Sequence, residues 1–426
     1  MPVSQPLPAP VPDEPDYPPD MRLVRQMPLS DPAGTDGSAE DWLMSGDASR
    51  AGLAELLDGL MARLVAAGMP FERATFHLGT LHPQVLGFTA IWNQKRGTCH
   101  ELRVNVHVRE TKDFLESPLR PVIDERVSVR LDPAHPETAA RFPMMASLAD
   151  EGFTDYWDFP VPHARSFHSA MTVATRAKGG FKPEALIELQ RLLPAIALNL
   201  DIIALSRIAE NVLGAYLGER SGKRVLEGAI RRGSGETIDA IVWVSDMRGF
   251  TELSDRLAGA EVIRLLNAYF ERLAEAVQEN GGEVLKFIGD GMLAIFPVTE
   301  AMPAEDAAKA ALQAARVGLR AISALNRSEG EALAIKTPWR PIDTGIALHR
   351  GPVFYGNIGA PDRLDFTVTG PAVNLAARVE PLAKQTGRRL LMTHAVADLL
   401  AEPTEPLGSF NFRGLAEPVE VLAAAE

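Results

Sequence analysis

Two aspartates, Asp246 and Asp290, stand where an apolar strand is expected to end and a glycine-containing turn to begin. Asp246 lies in Val-Ser-Asp-Met-Arg-Gly-Phe-Thr over 244–251, and Asp290 lies in Lys-Phe-Ile-Gly-Asp-Gly over 286–291. Carboxylate oxygens suit Mg²⁺ or Mn²⁺ ions that keep water and phosphate oxygens as further ligands. Taken singly, each aspartate would more often stabilise its own turn. Brought together by a fold, the two predict two-metal phosphoryl chemistry.

The residues around these aspartates predict alternating strands and helices. An apolar run over 238–245 predicts a central strand, and an apolar stripe over 262–277 predicts a helix. Two short strands around Gly-Asp-Gly at 289–291 predict a hairpin with Asp290 at its tip. Together these elements predict an α+β domain of ferredoxin-like βαββαβ type over 235–426. Its remaining elements are predicted as a helix over 304–325, strands over 342–348, 353–357 and 364–368, a helix over 372–383 and a strand pair near 409–423.

Three motifs of this half resemble the catalytic domain of class III adenylate cyclases, over roughly 235–425. They are Ser-Asp-Met-Arg-Gly-Phe-Thr from Ser245, Lys-Phe-Ile-Gly-Asp-Gly from Lys286, and Leu-Asp-Phe-Thr-Val-Thr-Gly-Pro-Ala-Val-Asn-Leu-Ala-Ala-Arg-Val-Glu from Leu364. The resemblance implies conversion of ATP to 3′,5′-cyclic AMP and pyrophosphate. The reaction is an in-line attack of the ribose 3′-hydroxyl on the α-phosphate.

The resemblance also implies roles for the residues of the first two motifs. Asp246 and Asp290 match the two aspartates that hold two Mg²⁺ or Mn²⁺ ions in each active site. Gly249, Phe250 and Thr251 match the stretch that binds the triphosphate, and free backbone N–H groups at the start of a helix suit a phosphate. Without the motif context, Thr251 would be interpreted as an ordinary helix cap.

Further residues match substrate-binding and catalytic positions of the family. Lys286 and Asp365 match the residues that recognise the purine: a lysine donor suits adenine N1, and a carboxylate accepts from the 6-amino group. Asn374 and Arg378 are four apart on a predicted helix and share one face; they match the ribose-orienting Asn and the transition-state Arg. Arg413 falls where the family often has a phosphate-contacting Lys.

The spacing of Lys286 and Asp290 bears on assembly. Four residues of extended strand span about 13 Å, which one nucleotide would bridge only awkwardly. The family solves this with a head-to-tail homodimer, in which the metal aspartates and the other residues come from different chains, so we expect an inactive monomer. Two positions depart from the common pattern: Gly291 replaces a frequent Glu, and Pro352 replaces a basic residue of some members.

The N-terminal half carries weaker signals. Residues 1–44 are rich in Pro, Gly, Ser and Asp and predict a disordered tail. A helix over 49–67, several strands up to residue 175 and a long terminal helix predict an α+β domain over 45–205, which is similar to GAF-type sensor domains. We interpret it as a sensor of an unidentified small-molecule regulator. Scattered histidines are usually core or surface residues, but six are candidate metal or haem ligands: His77, His82, His100, His107, His163 and His168.

The terminal helix and the linker have an apolar periodicity. Leucine and isoleucine recur at three- and four-residue spacing, at Leu186, Leu189, Leu193, Ile196, Leu200 and Ile203. This spacing predicts either a coiled-coil seam between two chains, kinked at Pro194, or a helix that packs on its own domain. Residues 206–234 predict a helical linker that transmits the signal. The apolar stretch 192–205 is interrupted by Pro194 and Asp201 and predicts no membrane span.

Composition excludes several classes of protein. The chain of 426 residues has a net charge of −13, which argues against nucleic acid as the main partner. Cys99 is the only cysteine, so an intrachain disulfide and a cysteine-based zinc site are excluded. The N-terminus shows no signal-peptide pattern, so we expect a cytoplasmic location. Two alternatives stay open: a non-catalytic regulator with a cyclase fold, and a cyclase that uses a guanine nucleotide.

Overall fold

The computed structural model describes residues 17–81, 85–162, 169–327, 333–415 and 417–424. His82, His163 and His168, which the sequence offered as candidate ligands, lie outside the described residues. The chain divides into two compact units, Met1–Val212 and Leu213–Glu426. Each unit is built on its own sheet.

The N-terminal unit contains a seven-stranded antiparallel sheet of order β1-β4-β3-β2-β7-β6-β5. Its strands are β1 (Met21–Pro28), β2 (Arg73–Gly79), β3 (Val85–Asn93), β4 (Thr98–Asn105), β5 (Val129–Leu131), β6 (Asp155–Pro160) and β7 (Ala170–Thr175). Its helices are α1 (Ala39–Leu43), α2 (Gly46–Arg50), α3 (Leu53–Ala66), α4 (Lys112–Leu115), α5 (Leu119–Glu125), α6 (Pro136–Arg141), α7 (Met144–Asp150) and most of α8 (Pro183–Leu217). The main core lies where α3 and α8 cover one face of the sheet, around Leu60, Phe76 and Leu200.

The prediction of a disordered tail up to residue 44 is wrong for its second half. Strand β1 is the edge strand of the sheet and pairs with β4, from Met21 opposite Val104 to Pro28 opposite Thr98. Short helices α1 and α2 follow it. Averaged composition hid this strand, because its residues are half-buried or exposed and its backbone hydrogen bonds come from a distant strand.

The predicted coiled-coil seam is also wrong. Leu189, Ile196, Leu200 and Ile203 are buried in the core of the N-terminal unit, so the helix packs on its own domain. A different face of α8 is exposed; its apolar residues are Leu198, Ile202, Leu205, Val212 and Tyr216. With 35 residues, α8 is longer than the stretch predicted, and by length and composition it could cross a membrane. A core helix passes the same test.

The C-terminal unit contains an eight-stranded sheet of order β14-β15-β13-β11-β8-β10-β9, with β12 paired to β11. The strands are β8 (Gly235–Met247), β9 (Glu283–Ile288), β10 (Gly291–Pro297), β11 (Thr344–Ala360), β12 (Arg363–Thr369), β13 (Leu390–Thr393), β14 (Thr404–Phe410) and β15 (Val419–Ala424). The helices are α9 (Glu219–Leu226), α10 (Phe250–Ser254), α11 (Gly259–Glu279), α12 (Ala304–Arg327), α13 (Pro371–Val379), α14 (Leu382–Thr386) and α15 (His394–Ala397). Apart from the parallel pair β11–β13, the paired strands are antiparallel.

Three local predictions for this unit need correction. The strands predicted over 342–348 and 353–357 form one long strand, β11. The helix predicted over 372–383 is divided into α13 and α14, with Pro381 immediately before α14. Strand β13 and helix α15 were not predicted, because four-residue elements carry too little periodicity to be recognised.

Strand β8 is buried on both faces, which explains its nearly continuous apolar sequence. Trp243 packs with α11 and α12 on one face, and Val242 packs with β12 and α13 on the other. The alternation places Asp246 on the β12–α13 face of the sheet, at the end of the strand.

Candidate active site

The fold brings Asp246 and Asp290 together. Asp246 is exposed near the end of β8, and Asp290 lies in the turn between β9 and β10. Strand β10 pairs with β8 so that Met292 stands opposite Ser245, which places the turn beside the end of β8. A Cβ atom added to Gly291 would lie 3.1 Å from Asp246 Oδ1. Gly291, a departure from the family pattern, therefore leaves the Asp246 carboxylate room beside the turn.

The electrostatics of this pair fit a divalent cation. Partial burial, together with the negative charge of Asp290, raises the pKa of Asp246. No described residue has a hydrogen bond or ion pair that offsets the charge of either carboxylate. In the described ranges, no three or more His, Cys, Asp or Glu side chains form a metal-binding group. Two carboxylates alone would leave the other coordination positions of an ion to water and phosphate oxygens.

Buried hydrogen bonds fix the backbone that carries Asp246. The Thr344 hydroxyl donates to the carbonyl oxygen of Asp246 at 2.9 Å and lies 2.7 Å from the Tyr269 hydroxyl. Two residues further on, Arg248 forms an ion pair with Asp343 at 2.9 Å. Its guanidinium also donates to two backbone carbonyls, one in α14 and one just before β13. These contacts hold the end of β8 on the neighbouring elements.

The predicted phosphate-binding stretch follows directly. Gly249 has a φ of 72°, in the left-handed region that favours glycine, and it turns the chain from the strand into α10. Phe250 packs against the core, while Thr251 is exposed and is not the cap of the helix. The first amides of α10 lack intrahelical acceptors, as at any helix start. The phosphate-binding role of these residues stays a prediction.

Lys286 and Asp365 are in contact, although 79 residues separate them in sequence. The Lys286 Nζ atom lies 2.9 Å from Asp365 Oδ2. Lys286 is on β9 and Asp365 on β12, and the Asp365 side chain is 54% exposed. The pair thus presents a donor and an acceptor together at an accessible position, which is the arrangement that a purine edge requires.

Asn374 and Arg378 lie one turn apart on α13, and both are exposed. The Arg378 guanidinium donates to the backbone carbonyl of Arg413, in the loop between β14 and β15. Arg413 is itself exposed. The fold thus brings the helix and the loop together, while the roles of the three side chains stay predictions.

The two metal candidates and the purine candidates are not in contact within one chain. Asp246 on β8 and Lys286 on β9 point to the same face of the sheet, but β10 lies between their strands. With strands about 4.8 Å apart and Lys286 two residues from the level of Asp246, their Cα atoms are about 12 Å apart. The separation agrees with the sequence argument for a site shared by two chains.

Sequence reasoning did not single out Glu380, which lies near the carboxylate pair. Glu380 is the C-cap of α13. Its carboxylate occupies the space that a Cβ atom on residue 345 would need, and Gly345 pairs with Asp246 across strands β11 and β8. Burial, and then the charges of Asp246 and Asp290, raise the pKa of Glu380 to about 7. In the sequence, Glu380 could have been noticed only because it lies two residues after Arg378. Only the fold shows that this end of the helix packs against β11.

Part of this chain is similar to known proteins. Residues 235–421 match the family model described as the adenylate and guanylate cyclase catalytic domain. An adenylate cyclase from Anabaena cylindrica is 34% identical over 192 residues, which cover 45% of this chain and 36% of the relative. Adenylate cyclase 1 from Rhizobium meliloti is 29% identical over 181 residues, covering 42% of this chain and 26% of the relative.

A solved structure is also similar to part of this chain. The crystal structure of the adenylyl cyclase CyaB from P. aeruginosa has a TM-score of 0.40 and 27% identity, and it covers 45% of this chain and 96% of that one. The match spans about a third of the length of the Anabaena relative and about a quarter of the Rhizobium relative. Residues 235–421 of the C-terminal unit are therefore similar to the catalytic domain of adenylate and guanylate cyclases.

Proposed function

We propose that this chain is an adenylate cyclase that converts ATP to 3′,5′-cyclic AMP and pyrophosphate at sites shared by two copies. The observation that carries the choice of ATP is the ion pair between Lys286 and Asp365. The lysine donates to adenine N1, and the carboxylate accepts from the 6-amino group. Guanine presents an acceptor at position 6 and a donor at N1, so it would meet a like group at each contact.

The other residues position the triphosphate and the ribose. Two Mg²⁺ or Mn²⁺ ions at Asp246 and Asp290 would activate the 3′-hydroxyl and neutralise charge on the α-phosphate and the leaving pyrophosphate. The backbone amides at 249–251 bind phosphate oxygens. Asn374 orients the ribose, so that the 3′-hydroxyl stands in line with the leaving group.

Arg378 stabilises the negative charge that develops on the phosphoryl oxygens in the transition state. In the structure its guanidinium donates to the Arg413 carbonyl, so its position depends on the loop between β14 and β15. Arg413 in that loop supplies a second cation toward the phosphates. Substrate binding would exchange the carbonyl contact of Arg378 for a charged one, which is the stronger interaction.

We propose a head-to-tail homodimer as the active form. One chain supplies Asp246 and Asp290, and its partner supplies the purine, ribose and transition-state residues. The exposed stripe of α8 supports dimerisation, since Leu198, Ile202, Leu205, Val212 and Tyr216 recur at alternating spacings of four, three, seven and four residues. That spacing matches the a and d positions of a two-stranded coiled coil, with Ala209 at the intervening position.

Helix α9 of the linker contacts the strand that carries Lys286; we call Lys286 and Asp365 the purine pair. In α9, the Ser221 hydroxyl donates to Glu283 at 2.8 Å, and the Tyr355 hydroxyl lies 3.1 Å from the same carboxylate. Glu283 is buried and begins β9, the strand that carries Lys286. We propose that the N-terminal unit acts as a sensor and that α8 and α9 transmit its state to the catalytic domain.

The direct test uses the purified full-length chain with Mn²⁺ and either ATP or GTP, with the products separated by chromatography. We expect cyclic AMP from ATP, and none from an Asp246→Ala variant whose circular dichroism matches that of the parent. Asp306→Ala, an exposed change on α12, is the matched control and should keep full activity. Product from GTP alone would identify the guanine-specific alternative, and no cyclic product from either nucleotide would overturn the proposal.

A further inference from the structure

The N-terminal unit contains a cavity that the catalytic proposal does not use. Its volume is about 400 Å³, within the range of sites that hold small organic ligands. It lies on the face of the sheet opposite the main core, because Arg73, Thr75 and His77 line it, whereas the intervening Ala74 and Phe76 belong to the core. The described residues around it all belong to the N-terminal unit.

The two sides of the cavity differ in chemistry. The sheet side carries polar groups in neighbouring strands, including Thr75 opposite Thr172 and His77 opposite Thr89. The opposite side is apolar and comes from Phe114 of α4, Leu119 and Ile123 of α5 and nearby residues. A ligand that fits must therefore have an apolar body and a polar group on one side.

Arg73 is the cation of the polar side. Its guanidinium donates no hydrogen bond and forms no ion pair with any residue that the structure describes. Burial lowers the pKa of Arg73, and the same burial together with the charge of Arg73 lowers the pKa of His77 to about 4, so that His77 is neutral. The other arginine lining the cavity, Arg109, is already paired with Asp124. The negative charge of Glu151 raises the pKa of Arg73, but that carboxylate is itself paired with Arg176. Arg73 is thus available to bind an anion.

The nearby carboxyl group of Asp158 does not neutralise the charge of Arg73. Asp158 is fully buried and lies within hydrogen-bonding range of the hydroxyls of Tyr156 and Thr172, two residues that line the cavity. Burial raises the pKa of Asp158 to about 8, so its carboxyl is mainly protonated at neutral pH. Asp113, which also lines the cavity, is exposed. The interior of the cavity is therefore positive and surrounded by apolar and neutral polar groups.

We propose that this cavity binds a small, mostly apolar carboxylic acid, with its carboxylate on Arg73 and its apolar body against α4 and α5. A carboxylate would make two parallel charge-assisted hydrogen bonds to the guanidinium, and these are strong where water is excluded. The apolar side would supply affinity through burial, and the neighbouring hydroxyls would orient the head group. Binding is a property of the N-terminal unit and does not depend on the cyclase proposal.

Calorimetric titration of the full-length protein tests the proposal with hexanoate, decanoate and 1-naphthoate, each compared with its neutral amide. We expect at least one acid to bind at least tenfold more tightly than its amide. Arg73→Met should weaken binding of that acid at least tenfold and leave binding of the amide unchanged. Ile123→Trp fills the apolar side and should abolish binding of both compounds.

Matched variants separate a loss of binding from a loss of folding. Arg103→Met removes an exposed arginine of the same sheet that does not line the cavity, and it should bind the acid as the parent does. Circular dichroism and an unchanged midpoint of thermal unfolding show that Arg73→Met is folded. The proposal is overturned if no acid binds more tightly than its amide, or if the folded Arg73→Met variant keeps the acid affinity of the parent.

Discussion

The polar groups of the two units differ in their surroundings. In the C-terminal unit, Asp246, Asp365, Asn374 and Arg378 are exposed. In the N-terminal unit, Arg73 faces a partly open cavity on one side of its own sheet. The N-terminal sheet carries its main core on the other side, whereas the C-terminal sheet packs apolar residues on both faces.

This difference indicates what each site needs from a partner. A cavity lined by one chain can surround most of a small molecule, so it can bind without a second copy. Exposed side chains cannot exclude water from a triphosphate, and the candidate metal and purine residues lie about 12 Å apart. We therefore expect a second copy to close the catalytic site and to supply its other half, whereas the polar interior of the N-terminal unit should depend on one chain alone.

Complementation between two inactive variants gives the sharpest test of the shared site. Asp290→Ala removes a metal ligand and Arg378→Ala removes the transition-state cation, so each homodimer should lose about 10³-fold in kcat. Mixed in equal amounts, half of the dimers are heterodimers with one intact site, which predicts recovery to about a quarter of the parent activity. The measurement is cyclic AMP formation after the chains have exchanged.

If each chain instead contained a complete site, mixing the two variants would give no activity above that of the separate variants. A mixture of Asp290→Ala with Asp246→Ala serves as the control, because both changes fall in the same half-site and should not complement.

The purine pair should determine nucleotide choice. Lys286→Met and Asp365→Asn each remove one charge-assisted contact and should lower kcat/KM for ATP by about 10- to 100-fold. Because the two side chains bond each other, the double variant should lose less than the product of the single losses. Steady-state kinetics with ATP and GTP measure the effect. Arg363→Met, an exposed change on the strand that carries Asp365, should leave kcat/KM for ATP unchanged. Equal losses for ATP and GTP in the Lys286 and Asp365 variants would contradict a role in purine recognition.

The two faces of α8 should respond differently to substitution. Leu205→Glu combined with Val212→Glu places charges on the exposed stripe and should dissociate the dimer, with at least a tenfold loss of activity at low protein concentration. Sedimentation velocity and activity against concentration measure both effects. Ala215→Glu, exposed on the same helix but about 100° away from the stripe, is the control. A dimeric, fully active double variant would show that the stripe is not the interface.

The buried carboxyl of the N-terminal unit should make stability depend on pH. The pKa of Asp158 is about 8 in the folded protein and about 4 when unfolded. Between these values the folded state keeps a proton that the unfolded state has lost. The free energy of unfolding should therefore fall by up to about 1.4 kcal/mol for each pH unit as the pH rises to 8.

Asp158→Asn removes this titration and should gain stability over the parent steadily from pH 5 to pH 8. Denaturant unfolding followed at several pH values measures the difference. Asp150→Asn, at the exposed end of α7, should follow the parent curve. Parallel curves for Asp158→Asn and the parent would show that this carboxyl is ionised in the fold.

Local sequence was sufficient where a motif combines a strand, a glycine turn and a carboxylate. The hairpin around Asp290, the strand that ends near Asp246 and the helix of Asn374 and Arg378 were all predicted, because each depends on residues within one short segment. For α8, the apolar periodicity left two interpretations open, and only the structure shows that this face packs on its own domain. Residues such as Leu200 and Leu205 are chemically alike, and only the contacts of the N-terminal core distinguish them.

The sequence by itself determined most elements of the C-terminal domain and the residue types of its candidate site, because turn chemistry and strand alternation are local properties. Only the tertiary structure decided which groups meet: Lys286 with Asp365, Asp246 with the turn of Asp290, and Glu380 with the strand beside Asp246. Only the tertiary structure revealed the cavity at Arg73 and the pairing of β1 with β4. All of these are contacts between segments that are distant in sequence. Their energies depend on burial and on the distance between groups, and neither can be inferred from one segment alone.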